Sequence, residues 1–207
     1  MRVQMNDNRT PKREALRNRL IDAAEELIVE NGLRGLKARD ITAKAGCALG
    51  ALYNAVEDLD QLVILVNSRT LARLGSALRD TVPEGASPAD TLHALAQGYA
   101  RFAQTHTNLW STIFAHRLPE GVDAPDWHQA EYPVLIAEII APLAQLQPDL
   151  DRAQLHRRAQ TLFAAVHGVV QLSIYGIYVG APADELRQEV RALVTAMVDG
   201  IEKNLNS

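Results

Sequence analysis

What this chain lacks narrows it first. Its 207 residues include a single cysteine, Cys47, which excludes a disulfide framework within one chain and suits a reducing compartment. Three Phe, two Trp and five Tyr make up the aromatic complement. Leu and Ala dominate the rest of the apolar residues, a balance that favours helices packed on helices. No apolar run approaches about 18 residues, so no membrane span is expected. The polar N-terminus holds no apolar segment of the kind a secretory signal needs, and a cytoplasmic location is expected. HExxH, CxxC, GxSxG and phosphate-loop sequences are absent. His93, His106, His116, His128, His156 and His167 share no metal-ligand spacing with Cys47 or an acidic cluster. No catalytic residue, metal or cofactor is therefore expected.

The net charge of −4 counts against nucleic acid until it is divided. Residues 1–54 hold 10 Lys/Arg and 7 Asp/Glu, a net of +3, whereas residues 55–207 hold 11 and 18, a net of −7. A mildly basic head precedes an acidic body, and a basic segment is the electrostatic footprint of phosphate contact.

Within the head, residues 37–56 read KARDITAKAGCALGALYNAV. Ala38–Ala45 carries apolar residues at Ile41 and Ala45, and Gly46 stands where a left-handed residue closes a helix. A second helix starts near Ala48 and places Leu52 and Val56 on one face. Helix, glycine turn, helix is the helix-turn-helix pattern, whose second helix can enter the major groove. Short helices joined through glycine also occur in many all-helical proteins, so the flanks decide. Over residues 13–65 they supply an ordered set: Ala23-Ala24, Leu27, Gly32, Ile41, Ala45-Gly46, Gly50, Leu52-Tyr53, Asp60 and Leu62. This set resembles the N-terminal domain of the TetR/AcrR family of transcriptional regulators. The resemblance implies an all-α, nine-helix, two-domain fold. Residues 10–57 would form the helix-turn-helix DNA-binding domain and residues 58–207 a helical ligand-binding and dimerisation domain.

Upstream, residues 1–9 read as an arm offering Arg2 and Arg9 to a DNA backbone. Thr10-Pro11 reads as an N-cap and a first-turn proline. The first helix then runs to about Asn31 with Leu16, Leu20, Ala23, Ala24, Leu27 and Ile28 as its buried stripe. The candidate phosphate contacts are Arg34, Lys37, Arg39 and Lys44, each of which also reads as a solvated helix charge. The reading helix is unusual: between Gly46 and Val56 there is no Lys or Arg. Leu49, Ala51 and Asn54 are its expected outward residues. Asn pairs bidentately with adenine, and Leu or Ala touches a thymine methyl. Tyr53 reads as a phosphate contact, a role the resemblance implies, or as a half-buried aromatic. Three positions depart from the family pattern. Ala48 replaces a common Ser or Thr cap, a loss of about 1 kcal/mol. Ala51 stands where Thr is common, and Leu59 replaces a Lys that contacts phosphate.

The body reads as five further helices after a fourth that starts near Asp58 and runs about 22 residues, roughly 33 Å. In this architecture such a helix is the lever between ligand site and head. Ser87-Pro88 caps the fifth, and the sixth starts at about Thr107. The seventh, from about Trp127 to Leu146, is expected to kink or break at Pro133 or Pro142. The eighth covers about Asp151–Tyr178, and Pro182 opens the ninth, to about Asn204. The last two carry long apolar faces, Leu162, Phe163, Val166, Val169, Val170, Leu172 and Ile174 on one, Leu186, Val190, Leu193, Val194, Met197 and Ile201 on the other. They are expected to form a homodimer's four-helix interface, with completion of the body's own core as the other reading.

Residues 164–172, AAVHGVVQL, resemble the His-Gly centred segment of a TetR C-terminal subfamily, with Val166 where Trp often precedes the His-Gly. His167 heads the pocket candidates, with Gln171 and Tyr175 on following turns. Phe102, His106, Trp110, Phe114 and Trp127 are the candidate walls, each of which also reads as core packing. The function expected is a ligand-responsive repressor that binds a palindromic operator as a homodimer and responds to an unknown small molecule. The alternative is a helical small-molecule-binding or partner-docking protein with a degenerate DNA-binding head.

Overall fold

The computed structural model describes residues 9–205. The expected arm with Arg2 lies outside them, and Arg9 begins the first helix. Ten α-helices and one short 3-10 turn account for the regular structure among the described residues, and there is no strand. All nine expected helices are present, the seventh broken into a single turn and a longer helix. They are α1 (Arg9–Asn31), α2 (Ala38–Lys44), α3 (Leu49–Ala55), α4 (Leu59–Thr81), α5 (Pro88–Thr105), α6 (Thr107–Ala115), α7 (Asp126–Gln129), α8 (Val134–Leu146), α9 (Arg152–Ile174) and α10 (Leu186–Leu205). None is long and apolar enough to cross a membrane.

The differences from expectation have local causes. Thr10 lies inside α1 rather than capping it, because the helix begins one residue earlier. The expected Trp127–Leu146 helix breaks at residues 130–133. Pro133 becomes the N-cap of α8, and Pro142 is accommodated inside it. α9 stops at Ile174, short of Tyr178, because Gly176 adopts φ 63 and Ile177 N–H reaches back to the Leu172 carbonyl at 3.2 Å. That pair of features is a Schellman closure, which a glycine at this position favours. α10 begins at Leu186, after a turn in which Glu185 N–H donates to Pro182 O at 3.0 Å.

The chain forms two compact units, Met1–Thr70 with Asn108–His128, and Leu71–Thr107 with Gln129–Ser207. The first therefore takes in α6 and α7 as well as the expected head. Its core joins Leu20, Ala24 and Ile28 of α1 to Ile41, Leu52, Val56, Leu62 and Leu109. Leu109 brings α6 into that core, and Asn108 Nδ2 fixes it by donating to Val29 O at 2.8 Å. His116 Nε2 lies 2.9 Å from Asp60 Oδ1 in the first turn of α4, and Ser68 Oγ lies 2.9 Å from His128 Nδ1.

In the second unit α5 packs on α8, α9 and α10, and α9 packs on α8 and α10. α5 is well specified at its start: Ser87 Oγ accepts from Asp90 N–H at 3.1 Å, and Pro88 occupies the first turn. Asp151 and Gln154 form a full capping box at the start of α9. Much of the apolar surface expected to face a second copy is used inside this unit. Leu162, Val166, Val170, Leu186, Val190, Val194 and Ile201 are buried within their own chain.

Candidate functional site

The helix-turn-helix pair is held from behind. Ile41 and Thr42 of α2 and Leu52 and Ala55 of α3 face the head core. Gly46 has φ 66 with nothing near a would-be Cβ, so the left-handed turn, rather than crowding, makes glycine the suitable residue. With positions 52 and 55 inward, helical geometry turns positions 49, 50, 53 and 54 outward. Leu49 is 40% exposed, Tyr53 52%, and Gly50 and Asn54 are exposed as well. Ala51 is half-buried at the edge of this face rather than at its centre. Tyr53 is thus no core aromatic.

Arg34, Lys37 and Arg39 are exposed, on the 3-10 turn, at the N-cap of α2 and in its first turn. A lysine at an N-cap opposes the helix dipole and offers no acceptor to the first amides. Lys37 is consequently a poor structural choice and a suitable one for meeting an anion. Lys44 departs from expectation. Its Nζ lies 2.9 Å from Glu26 Oε2 and 2.9 Å from Glu30 Oε1. These hydrogen bonds, Glu26 first and then Glu30, raise its pKa above the ordinary lysine value. Lys44 clamps α2 to α1 and is less available to a phosphate than its three companions. Ala48 caps α3 without any side-chain hydrogen bond, as its composition requires.

A separate feature lies in the second unit. An apolar cavity of about 50 Å³ is walled mainly by Leu92, Leu95, Tyr99, Ile139, Phe163 and Val166, with Glu138 as its charged member. None of the eight expected ligand residues lines it. His167 comes nearest: its Nδ1 is 2.7 Å from the Tyr99 hydroxyl, and its ring stacks on Phe163 at 5.6 Å. Burial pushes the His167 pKa below the ordinary histidine value, so the neutral ring is favoured. Gln171 is half-buried and Tyr175 is 46% exposed at the C-cap of α9. They follow His167 along a stripe, whereas the cavity takes Leu162, Phe163 and Val166.

The aromatic candidates scatter. Phe102 is buried and touches the exposed His106, ring centroids 4.6 Å apart. Trp110 is fully buried beside Phe114 in the first unit, a core residue there, and Trp127 is 46% exposed in the same unit. Sequence reasoning missed Glu138 and treated Tyr99 only as part of an apolar stripe. A lone charge in an otherwise uncharged helix was the available signal.

Two units, one presenting an exposed reading helix behind a glycine turn and the other a helical body with an apolar cavity, define a helix-turn-helix regulator. Residues 20–55 match the family model described as "Bacterial regulatory proteins, tetR family", and residues 92–199 match "Tetracyclin repressor-like, C-terminal domain". The chain belongs to the TetR family, and it is a DNA-binding transcriptional regulator rather than an enzyme. No curated protein matches it. Among solved structures it is similar to a protein of unknown function from Rhodococcus sp. RHA1, at 26% identity over 91% of this chain and 94% of that one, TM-score 0.69. A TetR-like transcriptional regulator from the same source shares 19% identity over 89% and 96%, TM-score 0.63. RolR in complex with its ligand resorcinol shares 21% over 94% and 95%, TM-score 0.66.

Proposed function

We propose that the chain is a ligand-responsive repressor acting as a homodimer on a palindromic operator, in the cytoplasm. Residues 10–57 serve as the DNA-binding head and 58–207 as the ligand-binding and dimerisation body. The observation that carries this reading is the outward face of α3, where Leu49, Tyr53 and Asn54 stand exposed with no charge among them. Two exposed apolar or aromatic side chains on a seven-residue helix have no folding role, and they suit base edges and phosphates. Arg34, Lys37 and Arg39 would bear on the backbone, Asn54 and Leu49 on bases, and Ala51 on the groove wall. Lys44 would act by positioning α2.

Dimerisation through the last two helices is supported by what the body leaves uncovered. Val169, Leu172 and Leu193 are only partly buried beside exposed Ala192 and the loop residues Tyr175, Ile177, Tyr178 and Val179. A twofold copy would cover this strip and set two reading helices about 34 Å, or a multiple of it, apart. The apolar cavity is the effector site in this reading, with the Tyr99 hydroxyl in its wall and His167 behind it, hydrogen-bonded to that hydroxyl. RolR, alike in fold, holds a small ligand, resorcinol. Release requires the effector to bind the DNA-free state better, and about 1.4 kcal/mol of difference weakens operator binding tenfold.

The test is binding of the purified protein to its own promoter DNA and to scrambled DNA at two salt concentrations. Specific binding by a dimer that falls steeply with salt is expected. A genome-wide selection that recovers no bound fragment would refute the repressor. The uncapped start of α3 and the ion-paired Lys44 favour one other reading, a helical binding protein with a weakened head. Equal weak binding to both DNAs together with an empty selection would choose it.

A further inference from the structure

Two hollows of the second unit share two wall residues. The apolar cavity and an outer groove of about 260 Å³, bounded by Arg79, Val82, Pro88, Thr91 and Gln145, both have Leu95 and Glu138 in their walls. The outer groove approaches the size at which ligand pockets begin, about 300 Å³, and the cavity lies behind the same wall. Glu138 is the single charged residue of α8, VLIAEIIAPLAQL. Its one ion-pair partner, Arg79, stands off at 3.5 Å with a side chain 53% exposed, against 34% for Glu138. So long and wet a contact holds its partners weakly.

The hydrogen-bond ladder of the helix is also interrupted one turn beyond this residue. Pro142, four residues on, has no N–H, so the helical hydrogen bond to the Glu138 carbonyl has no donor. Pro142 also lines the outer groove. The walls shared by the two hollows thus hold one carboxylate, that of Glu138. Leu71–Thr107 with Gln129–Ser207 holds nine Lys/Arg against twelve Asp/Glu, a net of −3. An anionic ligand on Arg79 would have to lie against Glu138 and take away its counter-ion. A cation would displace Arg79 into water, where that side chain already half resides.

We propose that the effector is a hydrophobic cation, its apolar body along the two hollows and its N–H donors on the Glu138 carboxylate. The proposal rests on the reading of this cavity as the effector site. Charge-assisted bonds of that kind are roughly twice as strong as neutral ones.

Three probes of one shape separate the chemistries: 4-phenylbutylamine, 4-phenylbutan-1-ol and 4-phenylbutyrate, titrated calorimetrically into the full-length protein. The amine is expected to bind about tenfold or more tightly than the alcohol, and the acid most weakly. Glu138→Gln should bring the amine-to-alcohol ratio close to one, with its thermal melt checked against the parent. Arg79→Gln, which leaves Glu138 without its counter-ion, should strengthen amine binding. Acid preference, equal binding of all three, or an amine preference that survives Glu138→Gln overturns the proposal. Alcohol binding without amine preference removes the cation and leaves the cavity reading standing. If none of the three binds to protein that still binds operator, the cavity reading falls with it.

Discussion

Replacing Tyr53 by Phe removes one oxygen from a side chain that is 52% exposed on the outward face of α3. The ring keeps its packing, so the thermal midpoint should stay within the scatter of a surface substitution, about 0.5 kcal/mol. DNA binding should not. A hydrogen bond to a charged group contributes about 1.5–3 kcal/mol. A twofold complex makes it twice, so operator affinity should fall by on the order of 10²–10⁴. Because a phosphate carries no sequence information, scrambled DNA should lose affinity in proportion. Fluorescence anisotropy with operator and scrambled duplexes across a salt series reads all of this at once. Losing a neutral hydroxyl should leave the salt slope unchanged, whereas Lys37→Gln should flatten it by about one counter-ion per protomer. Asn54→Ala gives the contrasting signature: operator binding weakens by about 1–3 kcal/mol per half-site while binding to scrambled DNA holds. If Tyr53→Phe and Asn54→Ala both bind operator like the parent, α3 is not the reading helix.

Four further perturbations probe other joints. Leu52→Ala empties a fully buried site in the head core and should cost about 2–5 kcal/mol, seen as loss of operator binding and an earlier melting transition. Lys44→Gln breaks the clamp on Glu26 and Glu30, so amide exchange in α2 should quicken while the salt slope of DNA binding stays near the parent's. His167 titrates below its ordinary pKa of 6.5 when folded, so the unfolded chain binds the extra proton first. Stability is therefore complete above 6.5 and declines as pH falls through it toward the lowered folded value; His167→Gln should flatten that decline in thermal melts. Leu193→Asp, on the uncovered strip of α10, should shift sedimentation toward monomer and abolish operator binding, and an unchanged dimer would move the interface elsewhere.

The head was legible because its chemistry is local. Gly32 and Gly46 both take positive φ and end their helices where the sequence places them. The stripe from Leu20 through Ile28 buries as its spacing dictates. Ser87-Pro88 announces α5 for the same reason, since a cap and a first-turn proline act within four residues. The boundaries that slipped involve competing signals. Two prolines lie in the segment that becomes α8, and only Pro133 interrupts the helix. Gly176, rather than the later Pro182, ends α9.

The body's cavity was not legible, and the reason is geometric. Aromatics and a lone histidine stand out in a sequence, yet Trp110 is buried away from the cavity, in the first unit, while the cavity is walled by ordinary leucines, Phe163 and Tyr99. A cavity is defined by what three or four helices fail to fill, and helical periodicity reports only which face is apolar. The sequence does mark the polar group that breaks an apolar pattern. In α8 an acid stands among twelve uncharged residues, with proline one turn on. An apolar helix keeps such a group at a cost in solvation unless solvent, a counter-ion or a ligand meets it. Arg79 meets it only loosely, at 3.5 Å. That leaves Glu138, rather than the histidine, as the charged group in the wall of the cavity.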